Sequence, residues 1–167
     1  DAGGLRVEVT ATNIGTSPVP WGYGAHPYFR FDDISNVKLT VPFDAELTVD
    51  PDRRLPIRLG PVTPAHDFLQ PRTIGTTVLD TAFTDPLTRD WVISLSGDSR
   101  TIEVWGETTT QWAQVFTAPH RDSVAVEPMT CGPDAFNEGP TYRDRIMLRP
   151  GDSANAVWGV RAHGHTQ

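Results

Sequence analysis

The chain has 167 residues, enough for one domain with a packed core. Hydrophobic residues make up 38%, with five Trp and seven Phe, which excludes a disordered chain. The net charge is −7, Lys38 is the only lysine and the arginines are scattered, so the chain carries no basic footprint for nucleic acid or an anionic membrane surface.

The hydrophobic period is two from the start. Leu5, Val7, Val9 and Ala11 alternate with Arg6, Glu8, Thr10 and Thr12, which predicts a strand at once, as if the chain began in mid-protein. Asp1-Ala2-Gly3-Gly4 is neither basic nor apolar, so it does not read as a signal peptide. Val37, Leu39 and Val41 alternate with Lys38 and Thr40, and strand-like runs follow at 46–49, 91–95, 101–105, 112–116, 123–126, 145–148 and 155–160. Turn clusters separate them at Asn13-Ile14-Gly15, Gly97-Asp98-Ser99 and Pro150-Gly151-Asp152. Fifteen prolines and fourteen glycines leave little room for a long helix, and only Pro133 to Asn137 suggests a single helical turn. The pattern predicts one all-β, largely antiparallel sandwich over 1–161 and a frayed tail over 162–167. The stretches 51–72 and 127–142 lack alternation and read as long loops, which in compact domains are often functional. No apolar run approaches membrane-spanning length. Cys131 is the only cysteine, so an intrachain disulfide is excluded. A lone cysteine suits a reducing compartment and an expected cytoplasmic location, and it reads as a small half-buried turn residue rather than a catalytic thiol.

Two residues offer acid/base chemistry. His26 lies in Trp21-Gly22-Tyr23-Gly24-Ala25-His26-Pro27-Tyr28-Phe29, where glycines allow close approach and aromatic faces, Tyr28 among them, suit the apolar face of a pyranose. Taken alone, the segment reads more readily as a β-bend with core aromatics. Glu127 ends the apolar run Val124-Ala125-Val126 and precedes Pro128. Taken alone, it reads as a strand-end carboxylate in solvent. Both residues precede a proline, which disfavours the helical region and holds them extended. Asp80 lies among apolar neighbours and Gln114 on an aromatic-rich strand. Either suits a sugar hydroxyl, and either has an ordinary structural reading, as a turn opener or a cross-strand partner. His66, His120, His163 and His165 have no metal-ligand spacing, and His163-Gly164-His165 reads as a solvated end. There is no phosphate-binding glycine loop and no serine nucleophile elbow.

Together these segments resemble the aldose 1-epimerases, or galactose mutarotases. Ala25-His26-Pro27-Tyr28-Phe29 resembles one family signature, and Val126-Glu127-Pro128 followed by Pro133-Asp134-Ala135-Phe136-Asn137 resembles another. Leu79-Asp80-Thr81-Ala82-Phe83 and Gln114-Val115-Phe116-Thr117 are similar to two further segments, and all four occur in the family's order. The resemblance implies a galactose mutarotase-like supersandwich with a carbohydrate cleft and needing no metal or organic cofactor. It implies that His26 protonates the ring oxygen, that Glu127 takes the anomeric hydroxyl proton, and that Asp80, Gln114 and Tyr28 hold a free monosaccharide. It covers only the C-terminal part of such a protein. The sandwich is therefore expected to be incomplete on its N-terminal side, with an open cleft near Asp80 and Gln114 and an exposed apolar edge at Leu5, covered in the complete assembly by further chain or a partner. His26 and Glu127 are expected to face one cleft about one sugar ring apart, too far for a direct hydrogen bond. A hexose-6-phosphate epimerase would need a cationic clamp that the motifs do not display. A carbohydrate-binding module on the same fold would not require both members of the acid/base pair.

Overall fold

Alternating burial builds the sheets. In the computed structural model, which describes residues 3–97 and 99–164, Trp91, Ile93 and Leu95 point into the core while Val92, Ser94 and Ser96 are half-buried on the other face. The strands in chain order are β1 (Leu5–Thr12), β2 (Val19–Trp21), β3 (Tyr28–Arg30), β4 (Lys38–Thr40), β5 (Phe43–Val49), β6 (Pro56–Pro61), β7 (Arg72–Thr73), β8 (Asp80–Pro86), β9 (Trp91–Ser96), β10 (Arg100–Gly106), β11 (Trp112–Thr117), β12 (Ser123–Met129), β13 (Ile146–Leu148) and β14 (Ser153–Gly164). One six-stranded sheet has the order β1-β14-β10-β9-β4-β7, and a second has β3-β12-β11-β8-β5-β6. The strands β13 and β2 form a small third sheet. Every pairing described is antiparallel. The fold is an all-β antiparallel sandwich.

One core joins the two large sheets. Ile93, Leu95, Val104 and Trp158 of the first meet Phe83, Val115, Val124 and Val126 of the second. Each fully buried aliphatic or aromatic side chain contributes about 1.5–3 kcal/mol of transfer free energy, set against the cost of ordering the chain. With the core between the sheets, the outer face of the second sheet is left for the candidate site residues. That face carries a second small cluster, Leu47, Ala82 and Trp112, with Val49, Leu59 and Met129 packed on it.

Several elements differ from the sequence pattern. The stretch 51–72, expected as a loop, contains β6 at the edge of the second sheet. A proline at each end of β6 removes a ladder donor, which only an edge tolerates, and Ile57 is exposed, so alternation is absent. The expected loop from 127 begins three residues later, because Glu127, Pro128 and Met129 remain in β12. Residues 133–137 form a turn rather than a helical one. Asn137 N–H donates to the Asp134 carbonyl at 3.1 Å and Asp134 has φ 60°. The expected tail is strand as far as Gly164, since Ile102 pairs with Ala162 and Arg100 with Gly164. His165, the rest of the expected tail and Asp98 of the Gly97-Asp98-Ser99 turn lie outside the described residues. The turn at Asn13 is as expected: its side-chain oxygen accepts from Gly15 N–H at 2.9 Å.

Candidate active site

The register of the second sheet assembles the site. In β12–β11, Glu127 stands opposite Gln114, and in β11–β8, Gln114 stands opposite Ala82. On the other side of β12, Tyr28 pairs with Ala125, and the ladder continues past the end of β3. Val126 N–H donates to the Pro27 carbonyl at 3.3 Å, Ala25 N–H donates to the Pro128 carbonyl at 3.1 Å, and Gly24 bridges Met129. His26 is therefore directly opposite Glu127. One row across the sheet reads His26, Glu127, Gln114, Ala82. The next reads Tyr28, Ala125, Phe116, Asp80. Members of adjacent rows two residues apart share a face. All five residues singled out by sequence thus project from one face of one sheet.

The side chains confirm this placement. His26 Nε2 lies 3.1 Å from Glu127 Oε1, with His26 mostly exposed and Glu127 largely covered. The Tyr28 ring stacks on His26 at 4.9 Å between centroids, and its other contact is edge-on to Phe116. Gln114 Nε2 donates to Asp80 Oδ1 at 2.6 Å. The expected separation of about one sugar ring between His26 and Glu127 is corrected by the direct contact. Directly opposed residues in an antiparallel pair have Cβ atoms only about 4.5–5.5 Å apart, so two long side chains meet.

Burial raises the Glu127 pKa above the ordinary carboxylate value. The neighbouring His26 opposes this rise and the Asp80 charge adds to it. A base poised closer to neutrality is matched to proton transfer. Cys131 is free and half-buried, and burial pushes its thiol pKa up, the opposite of an activated nucleophile. Among the described residues, no group of three or more His, Cys, Asp and Glu side chains is arranged to hold a metal ion. No helix among them is long and apolar enough to cross a membrane.

A cavity of about 180 Å³ adjoins the rows, lined by Val49, Arg54, Asp80, Ala82, Gln114 and Pro133. Within its lining, Asp80 is 37% exposed and Arg54 mostly exposed. An apolar groove past Met129, walled by Tyr23 and Phe136, shares Pro133 with it. Leu5 is exposed as expected, whereas Val7, Val9 and Ala11 are half-buried. Sequence reasoning missed Arg54, whose Nη1 donates to Asp80 Oδ2 at 3.0 Å. The only signal was its position in a loop already singled out for its length.

Comparison with known proteins follows the same lines. The aldose 1-epimerase family pattern matches residues 1–160. YihR of Escherichia coli K12, described as uncharacterized, is 30% identical over 154 residues, which span 89% of this chain and 48% of YihR. A putative aldose 1-epimerase from the same organism superposes with TM-score 0.81 at 20% identity, over 98% of this chain and 57% of its own. Galactose 1-epimerase from Lactobacillus acidophilus gives TM-score 0.81 at 18% identity, over 99% and 55% respectively. At such identities the superpositions speak for the fold, and the chain spans about half the length of these relatives. The match over nearly all of the sequence, on a sandwich that carries the signature residues on one face, shows that this chain belongs to the aldose 1-epimerase family.

Proposed function

We propose that the protein is an aldose 1-epimerase that interconverts the α and β anomers of a free aldohexose of the glucose or galactose kind. The observation that carries this reading is the His26–Glu127 contact at 3.1 Å, in register with Gln114 on the same sheet face. The two reacting oxygens of a cyclic aldose, ring and anomeric, are bonded to one carbon. Neighbouring acid and base groups therefore suit them. His26 gives a proton to the ring oxygen while Glu127 takes one from the anomeric hydroxyl. The bond from the anomeric carbon to the ring oxygen breaks, leaving an aldehyde and a free hydroxyl. After rotation about the bond between the first two carbons, the ring closes on the other face and the residues exchange roles. Asp80 and Gln114 hold hydroxyls, and Tyr28 steadies the imidazole.

The charge of the cavity favours an uncharged sugar over a hexose phosphate. Arg54 is the single cationic side chain in its lining and is already paired with Asp80. A cytoplasmic site of action accompanies the reading, on the strength of the single cysteine.

The test is polarimetry on freshly dissolved α-D-glucose and α-D-galactose. The protein should speed the decay of rotation. His26→Asn and Glu127→Gln each remove a positioned proton donor or acceptor, and each should lower kcat by about a hundredfold or more with a small change in sugar affinity. Sugar binding with rotation kinetics untouched by either substitution would replace the enzyme with a carbohydrate-binding module.

A further inference from the structure

We propose that Arg54 is a substrate-binding residue, which with Asp80 forms a donor–acceptor clamp for two adjacent hydroxyls of an uncharged aldose. The inference rests on the aldose reading above and extends it to a residue outside the family signatures.

The loop that delivers Arg54 is built to aim it. Asp50 N–H donates to the Leu55 carbonyl and Arg54 N–H to the Asp50 carbonyl, both at 2.8 Å. The Asp50 carboxylate accepts from Asp52 N–H at 3.0 Å and from Arg53 N–H at 2.7 Å. Arg54 itself has φ 58°, in the left-handed region that a long side chain rarely occupies. Such a conformation costs free energy and persists only where its surroundings impose it. An ion pair as exposed as Arg54–Asp80 returns little stability. The closed turn between β5 and β6 therefore holds Arg54 at the cavity by backbone geometry rather than through the ion pair.

The geometry at Asp80 defines the clamp. Gln114 takes Oδ1 at 2.6 Å and Arg54 takes Oδ2 at 3.0 Å, so the carboxylate is bracketed in one orientation. Each oxygen keeps a further lone pair to accept from a hydroxyl. Arg54 spends only Nη1 on Asp80. Its Nε and Nη2 donors have no protein acceptor among the described residues. One hydroxyl can donate to Asp80 while its neighbour accepts from Arg54. Because the two charges cancel, this grip selects a neutral diol rather than a phosphate.

The experiment compares the full protein with its Arg54→Ala and Arg54→Lys variants on glucose, galactose and their 2-, 3-, 4- and 6-deoxy analogues. Arg54→Ala should raise KM roughly ten- to a hundredfold, the worth of a charge-assisted hydrogen bond, while kcat stays within about threefold. Arg54→Lys should recover part of the loss. The penalty should vanish for the deoxy sugar that lacks the hydroxyl held by Arg54. An unchanged KM in Arg54→Ala, or an equal penalty on every deoxy sugar, overturns the clamp and leaves Arg54 as a turn residue. A wild-type protein that accelerates no aldose overturns the aldose reading and the clamp with it. An active wild type with an indifferent Arg54→Ala variant removes the clamp alone.

Discussion

Two side chains can be isolated experimentally. The Glu127 pKa is raised, first by burial and then by Asp80, against the opposing effect of His26. In its proposed role as base, Glu127 works only when unprotonated. The acid limb of the kcat/KM profile, which reports the free enzyme, should therefore lie at higher pH than an ordinary glutamate would place it. Asp80→Asn removes a charge that favours protonation, so in that variant the limb should move to lower pH. A limb that stays in place would show that another group controls it. Tyr28 separates packing from recognition. Tyr28→Phe retains the stack on His26 and should leave kcat within about twofold, while Tyr28→Ala frees the imidazole and should lower kcat roughly three- to tenfold. A raised KM in Tyr28→Phe would instead assign the phenol to the sugar.

Among the elements, the outer part of the site sheet holds a buried polar contact. Glu46 on β5 is 6% exposed and stands opposite the core residue Phe83, so its side chain faces inward. His66, from the loop after β6, meets it with Nδ1 at 2.8 Å from Oε2. His66→Ala strands a buried carboxyl and should cost roughly 1–3 kcal/mol in urea unfolding. Glu46→Ala in that background should restore part of the loss, since removing both partners is milder than removing one. Strict additivity of the two substitutions would show that the contact carries no coupling. Because β6 closes the edge beside the strand that leads to Arg54, this loss should appear in stability before it appears in turnover.

At the level of the whole molecule, the site and the core are two faces of the same sheet. In β11, Val115 is packed inside while Gln114 and Phe116 face outward, and in β12, Val126 is inside while Glu127 faces outward. The site residues come from positions 26 to 127, so no local segment holds the site by itself. Leu95→Ala, a cavity in the core far from Glu127 in sequence, should cost about 2–5 kcal/mol. Thermal loss of strand circular dichroism, of tryptophan fluorescence and of the proposed anomerase activity should then coincide and shift together. Separate transitions would show that the site sheet opens independently.

The class of fold and the family are legible in local sequence pattern. Period-two alternation is a local property, so 5–12, 91–95 and 112–116 are readable as strands without knowledge of their partners. The segments around His26, Asp80, Gln114 and Glu127 point to the family because each signature is contiguous in sequence. Edge strands such as β6 were not legible, since burial on neither face imposes alternation and Pro56 and Pro61 disguise the strand as a loop. The end of β14 was missed for a related reason: Ala162 and Gly164 are ordered by pairing with Ile102 and Arg100, not by any pattern of their own. Pairing register is a property of two strands at once. Folding alone sets His26 opposite Glu127 and in contact with it, lets Gln114 complete the row, and brings an arginine to Asp80 by a left-handed turn at 54.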